Sequence, residues 1–305
     1  MVNAINTLKS QWEQEIVPTL QANTIGKMLM PMNTDLSGKG IGVLSIDTFN
    51  YVARASAVIN YDIQQDNSDR VDLTTGNLKI PLQQDDVTIP RRDWDAYELK
   101  GVPLESDLAT DMAANVSIQQ NNLIIDGWKP NGSTYDIKGM YQVANNSVSG
   151  QDFDTFGNAL KTVAEAITAL KADKIYSAGY NLTLSSLNYA ELMGSYSTAG
   201  VSEYDLVLRM LNSDAGGQVT GRILEGTALS AGTGMVSPVA SQENRRYFDL
   251  IEPQEPSLSS WYTDGNIETG DINFRLLGAL IPRFKHLNSS GLDDCICKIT
   301  GLDSS

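Results

Sequence analysis

KIPLQQDDVTIPRRDWDAYELKGVPLESDLATDMAANVSIQQNNLIIDGW, residues 79–128, changes its periodicity partway along and so sets the fold class. Up to Ile89 its residues alternate and include β-branched types, which reads as a strand, and Pro90 ends the alternation. Beyond it Leu104, Leu108, Met112, Val116 and Leu123 fall near the helical period. Pro103 stands where a first-turn proline is tolerated and Gly127 is able to stop the helix, so a long helix is predicted over about 104–126.

Upstream, Ile41 to Ile89 is a long β excursion, broken by the polar cluster QQDNSD at 64–69 and the turn-like TTGN at 74–77. With few large apolar residues at its tip, such a hairpin hardly stabilises itself and is expected to lie on something else. Residues 3–22 form an amphipathic helix with Ile5, Leu8, Trp12, Ile16 and Leu20 on one face, and Pro18 is expected to kink or end it early. NTDLSGKGIG, 33–42, reads as a flexible joint.

Downstream, Phe153, Phe156, Leu160, Val163, Ile167 and Leu170 recur in steps of three and four, predicting a core helix over 152–172 with Asp152 placed to begin it. A strand (YNLTLSS), two short helices at 186–194 and 203–212, and a Gly-rich β region at 221–241 follow. Two or three long strands close the chain from Leu258 to Leu302, one of them Asp271 to Leu287. Helices in the middle with strands toward both ends make a mixed α+β fold.

At 305 residues and 41% apolar content, the chain has enough material for one large or two ordinary domains with a real core. The net charge of −15 works against a broad nucleic-acid-binding face, and no basic run exceeds the pairs Arg91-Arg92 and Arg245-Arg246. The first residues carry neither a basic leader nor an unbroken apolar stretch, and no apolar run approaches the roughly 18 residues of a membrane span, so a cytosolic protein without membrane contact is expected.

The search for chemistry finds little. Cys295 and Cys297 share one face of a predicted strand, where they read as packing residues; zinc sites normally need four ligands, and the one histidine is His286. Gly38-Lys39-Gly40-Ile41-Gly42 lacks the strand, helix and Lys-Ser/Thr pair of a phosphate loop and reads as a hinge. The acidic pairs Asp85-Asp86, Asp93/Asp95, Asp152/Asp154 and Asp293-Asp294 have no histidine or second acidic cluster at motif spacing and read as turns and caps. There is no G-x-S-x-G elbow, and the four tryptophans are not interleaved with Lys or Arg. No catalytic residue, cofactor or metal is expected.

The element order resembles the Hong Kong 97-type capsid fold of tailed viruses, and residues 79–128 are similar to the encapsulin passage in which a strand reaches a proline, then an aromatic and acidic turn, and then the long spine helix. In that family the spine helix ends at an apolar pair and a glycine, here Ile124-Ile125 and Gly127. IKGMYQVANN at 137–146 and YNLTLSSLNYAELM at 180–193 resemble the segments that follow. The resemblance implies an N-terminal arm at 1–44, an E-loop at 45–90, a peripheral domain with a long spine helix at 91–178 and 255–305, and an axial domain at 179–254. It departs at the arm, where GKGIG stands in place of the Gly-Pro-Gly-like turn that, with a helix, holds cargo peptides in encapsulins.

The implied function is a self-assembling icosahedral shell protein without enzymatic activity. The first reading is the major capsid protein of a tailed virus or prophage, enclosing double-stranded DNA without sequence-specific binding, assembled in the host cytoplasm with scaffold, portal or decoration proteins as partners. On the inner wall the acidic surface would let packaged DNA slide. The alternative is an encapsulin, a cytoplasmic nanocompartment holding a cargo enzyme. In both, the main partners are copies of the chain itself in pentamers and hexamers. Trp12, Ile16, Trp94 and Tyr97 are the candidate contacts, of intersubunit or arm-packing type.

Overall fold

A 19-residue helix, Asp107–Ile125, runs through both hydrophobic cores of the protein. The computed structural model describes residues 2–23, 25–51, 73–100, 107–213, 220–263, 270–285 and 292–302. In chain order the elements are α1 (Val2–Asn23), α2 (Gly26–Leu29), β1 (Ser45–Tyr51), β2 (Leu73–Lys79), β3 (Leu82–Ile89), α3 (Arg91–Lys100), α4 (Asp107–Ile125), β4 (Gly127–Trp128), β5 (Ile137–Lys138), α5 (Met140–Val143), β6 (Ala144–Ser149) and α6 (Asn158–Ala172). There follow β7 (Tyr180–Leu184), α7 (Ser186–Gly194), α8 (Glu203–Leu211), β8 (Ile223–Glu225), β9 (Thr233–Pro238), β10 (Phe248–Tyr262), β11 (Ile272–Phe284) and β12 (Asp293–Thr300).

Two sheets carry the architecture. β10, β11 and β3 form an antiparallel sheet in that order, with Leu276 opposite Asp85 and Ile272 opposite Ile89. The second is mixed, in the order β6-β12-β9-β7-β8, with β12 parallel to β6 and antiparallel to β9. The larger core lies around this sheet, α6 and the end of α4; the smaller one joins Trp12 and Ile16 of α1, Trp94, the first half of α4 and Ile272, Phe274 and Leu276 of β11. Between the two stretches of α4 that serve the cores lie the buried polar residues Ser117, Gln120 and Asn121.

The periodic stripes bury as their spacing requires. Met112, Val116 and Leu123 of α4 are buried, and so are Val163, Ile167 and Leu170 of α6, with Leu160 packed at the edge. Leu104 lies outside the described residues. Gly127 stops α4 at φ +106, where a Cβ would come 2.3 Å from the Ile137 carbonyl oxygen, so both the turn and the close approach of β5 require glycine.

Several local expectations are corrected. Pro18 does not end α1, which runs on to Asn23. The proline and Gln14, whose carbonyl loses its partner, face solvent, and the Thr19 hydroxyl donates to the Glu15 carbonyl at 3.0 Å. TTGN at 74–77 is no turn but lies inside β2, where Gly76 pairs with Thr48 of β1. The segment after Pro90 is a helix, α3, because the Pro90 carbonyl accepts the Asp93 and Trp94 amides and the Asp271 carboxylate accepts the Arg91 amide at 2.9 Å. A carboxylate 180 residues away in sequence thus caps this helix, a signal that no local pattern contains.

The predicted helix over 152–172 starts six residues late, at Asn158. Gly157 sits at φ +98 and breaks the run, leaving Phe153 buried in the preceding turn and Phe156 39% exposed. Asp152 accepts the Asp154 amide in a tight turn and does not cap α6. The cap comes from Glu203 at the start of α8, fully buried, which accepts the Leu160 amide at 3.0 Å and the Ser195 hydroxyl at 2.8 Å.

Replacing Glu203 by Ala is therefore expected to cost about 2 kcal/mol or more, since it removes a helix cap and strands buried donors. Glu203→Gln, which keeps an acceptor, should lose less; equal losses in denaturant titrations would contradict the capping role. Trp12→Ala should cost about 3–5 kcal/mol and make α1 the first site of proteolytic cleavage.

Candidate assembly surfaces and the docked arm

Trp12 is 1% exposed, and its ring centroid lies 4.6 Å from that of Phe274 at an interplanar angle of 43°. Ile16 is buried beside it, and Trp94 of α3 is fully buried in the same core. The structure thus brings three of the four sequence-chosen residues together, within one subunit, where they dock the arm helix and α3 against α4 and β11. Tyr97 lies on α3, and its side chain is outside the described residues.

The segment after the arm helix is not a free joint. Met32 bridges to Leu250 in parallel, the Asn33 amide donates to the Leu250 carbonyl at 2.8 Å, and the Leu250 amide donates to the Pro31 carbonyl at 2.9 Å. Gly38 and Gly40, expected as a hinge, donate their amides to the Glu252 and Pro253 carbonyls at 3.0 and 2.7 Å. Residues 31–40 therefore run along β10 and satisfy carbonyls that its β-bulges leave unpaired.

Charged groups, which sequence reading did not single out, fasten this segment. Asp249, fully buried, accepts from Arg283 Nε at 2.8 Å and Nη2 at 2.6 Å, from Lys285 Nζ at 2.7 Å and from Asn33 Nδ2 at 2.8 Å. Burial pushes Asp249 toward the neutral acid, but Arg283 and Lys285 outweigh it and hold the carboxyl below the usual range. Lys27 pairs with buried Glu252, whose carboxyl is raised by burial against the opposing pull of that lysine. Alternation along β10 and β11 hides these positions, because a charged residue in a strand reads as solvent-facing unless its partners, over 200 residues away for Asn33 and Lys27, are known.

The surfaces left open lie elsewhere. β1 and β2 form a two-stranded ribbon, Ser45 opposite Lys79 to Tyr51 opposite Leu73, with no third strand among the described residues. Its root is held in the larger core by Ile46 and Leu78, while the predicted tip, 64–69, lies outside the described residues. Met193 and Tyr196, Val201 and Leu206 line a groove of about 580 Å³ between α7 and α8, with Asp205 and Arg209 at its side. Trp261 is exposed on the outer face of β10, under Arg275, which makes two 2.6 Å bonds to Asp86.

The arrangement offers little to chemistry. Cys295 and Cys297 are buried in β12 as free thiols; burial pushes Cys297 up to about 12 and Cys295 further, so neither supplies a thiolate near neutrality. His286 lies outside the described residues. Among the described residues the carboxylates of Asp152, Asp154 and Glu191 gather within 4.8 Å, but they serve local structure: Asp152 accepts the Asp154 amide and Glu191 accepts the Asn188 side-chain amide. Among those residues no helix is long and apolar enough to cross a membrane.

The fold can be placed among known proteins. The virus-like particle from Pyrococcus furiosus matches at a TM-score of 0.59 and 14% identity, over 94% of this chain and 98% of that one. The capsid of Myoviridae Phage XM1 matches at 0.61 and 13% identity, over 90% of each chain. The capsid of the empty GTA particle matches at 0.57 and 10%, over 92% of this chain and 97% of that one. At such identities these likenesses establish the α+β Hong Kong 97-type fold. The family described as "Encapsulating protein for peroxidase" matches residues 46–229. Since that match spans more than half of the chain and the fold follows shell proteins nearly from end to end, the chain belongs to this encapsulin family and is a structural subunit of the icosahedral-shell type.

Proposed function

We propose that copies of this chain close an icosahedral compartment in the cytoplasm that holds a protein cargo, and that the subunit itself catalyses nothing. The observation that carries this reading is the family match over residues 46–229 to an encapsulating protein for peroxidase. On sequence alone the viral capsid comes first; the family match moves the enclosed content from DNA toward an enzyme. The acidic chain, with no basic run longer than two residues, agrees with a lumen that does not grip nucleic acid.

In this reading residues 1–44 are the arm, 45–90 reach over a neighbouring subunit, 91–178 and 255–305 form the peripheral domain, and 179–254 the axial domain. The β1–β2 ribbon supports the second assignment, since among the described residues no third strand pairs with it and Ile46 and Leu78 at its root are what joins it to a core. The groove between α7 and α8 supports the last, since it exposes apolar side chains within the part that would meet its copies around five-fold and six-fold axes.

Expressed alone, the chain should give uniform closed shells by negative-stain electron microscopy, with an absorbance ratio at 260 and 280 nm characteristic of protein. Tubes, irregular shells or free subunits would favour a viral capsid protein that needs scaffold and DNA, and strict monomers under all conditions would overturn both readings. The double variant Met193→Glu, Val201→Glu, at positions 46% and 45% exposed, should keep the folded subunit and abolish shells; normal particles would remove the groove from the assembly contact.

A further inference from the structure

Asp293 begins β12, the closing strand of the five-stranded sheet, and its residue exposure is 0%. One carboxylate oxygen accepts the Cys295 amide at 2.7 Å; the other is buried with no hydrogen-bond partner. Buried carboxylates are ordinarily paired with a cation or held by several donors, as Asp249 is in this same molecule. Asp293 has neither.

Among the described residues its charged surroundings offer no counter-charge. On its own strand it has Asp294 and Cys295. β6 (ANNSVS) and β9 (TGMVSP) contain no charged residue, and α5 contributes only Tyr141 among titratable groups. The C-terminus of α6 brings Asp173 toward Cys297, and the turn Gln242–Arg246 brings Arg246 and the neighbouring Tyr247 toward Cys295. No described cation pairs with the Asp293 carboxylate.

The start of β12 meets β6 outside the regular ladder. Asp293 faces Ala144 of β6, but the pairing then shifts register and resumes only at Cys297 opposite Asn146. A register shift therefore separates Asp293 from the ladder over 297–300, and between them β6 holds the strand through side chains, Asn145 donating to the Asp294 carboxylate at 2.6 Å and Asn146 to the Asp294 carbonyl at 2.9 Å.

We infer that Asp293 is a proton-gated clasp: protonated, it seats the start of β12 against β6; ionised, it places an uncompensated charge in the sheet beside Asp294 and loosens that end of the strand.

Burial raises the carboxyl from 3.8 to about 7, which puts the transition in the neutral range. Because the folded state holds the proton more tightly than the unfolded chain, the stabilisation is full below the unfolded value and is lost as pH rises through the folded one. For those two values the folding equilibrium constant falls about 30-fold between pH 5.5 and 8.5 on account of this group alone.

The test is denaturant unfolding of the full chain at pH 5.5, 7.0 and 8.5, for the wild type, Asp293→Asn and Asp294→Asn, with hydrogen exchange of the peptide 292–302 followed by mass spectrometry. Asparagine keeps the acceptor for the Cys295 amide but does not ionise. Glu252, raised in the same direction by its own burial, titrates equally in all three proteins and cancels in the comparison. The expected result is a fall with pH in wild type about 30-fold beyond that in Asp293→Asn, a smaller fall in Asp294→Asn because the neighbouring charge that opposes ionisation is gone, and β12 exchange, corrected for intrinsic pH dependence, that rises from pH 5.5 to 7 and levels off above it only where Asp293 is present. Parallel pH profiles in wild type and Asp293→Asn overturn the clasp. Should Asp293→Asn fail to fold, wild-type exchange decides: once corrected for intrinsic pH dependence, a flat rate across pH 6–8 overturns it.

Discussion

The fold depends on one helix being shared by two cores. α4 contributes Ala109, Met112, Ala113 and Val116 to the smaller core and Leu123, Ile124 and Ile125 to the larger. Everything that reaches the first half of α4, namely the arm helix, α3 and the distal half of the β10–β11–β3 sheet, is thereby set relative to the compact body. The helix ends abruptly because Gly127 adopts a conformation that other residues resist and lets β5 cross close by. A long helix shared by two cores suits a shell, where the spacing between contacts has to be kept from copy to copy.

Hydrophobic docking of the arm is reinforced by polar fastening. Trp12 and Ile16 bury the arm helix, while residues 31–40 follow the edge of β10; Asn33 of this segment and Lys27 of α2 before it meet two buried carboxylates, Asp249 and Glu252. Once such groups are buried, removing one partner costs more than the pair contributes, since the remaining charge is stranded. The arm is thus an integral part of this subunit, and the joint expected from its glycines is spent on hydrogen bonds to β10.

Sequence reading reached the long elements and missed the short-range events that depend on distant partners. The stripes of α4 and α6 and the alternation of β11 and β12 were legible because burial on one face imposes a period on the chain. The start of α6 was not, since its cap is Glu203, 43 residues downstream, and the helical identity of α3 was not, since it is capped by Asp271. Trp12, Ile16 and Trp94 were picked out as contact residues, but whether they meet the same chain or another is a matter of three-dimensional packing, and the structure buries them at home.

By itself, the sequence determined the class of the fold, the order of its long elements and the shell-protein resemblance, because all of these follow from periodicity, punctuation and residue type along the chain. Only the tertiary structure decided that the glycine-rich joint is bound to a strand, which carboxylates are paired, and that Asp293 is buried without a counter-charge among the described residues. Desolvation and charge pairing depend on neighbours that the fold brings from far along the chain, and a linear pattern holds no record of them.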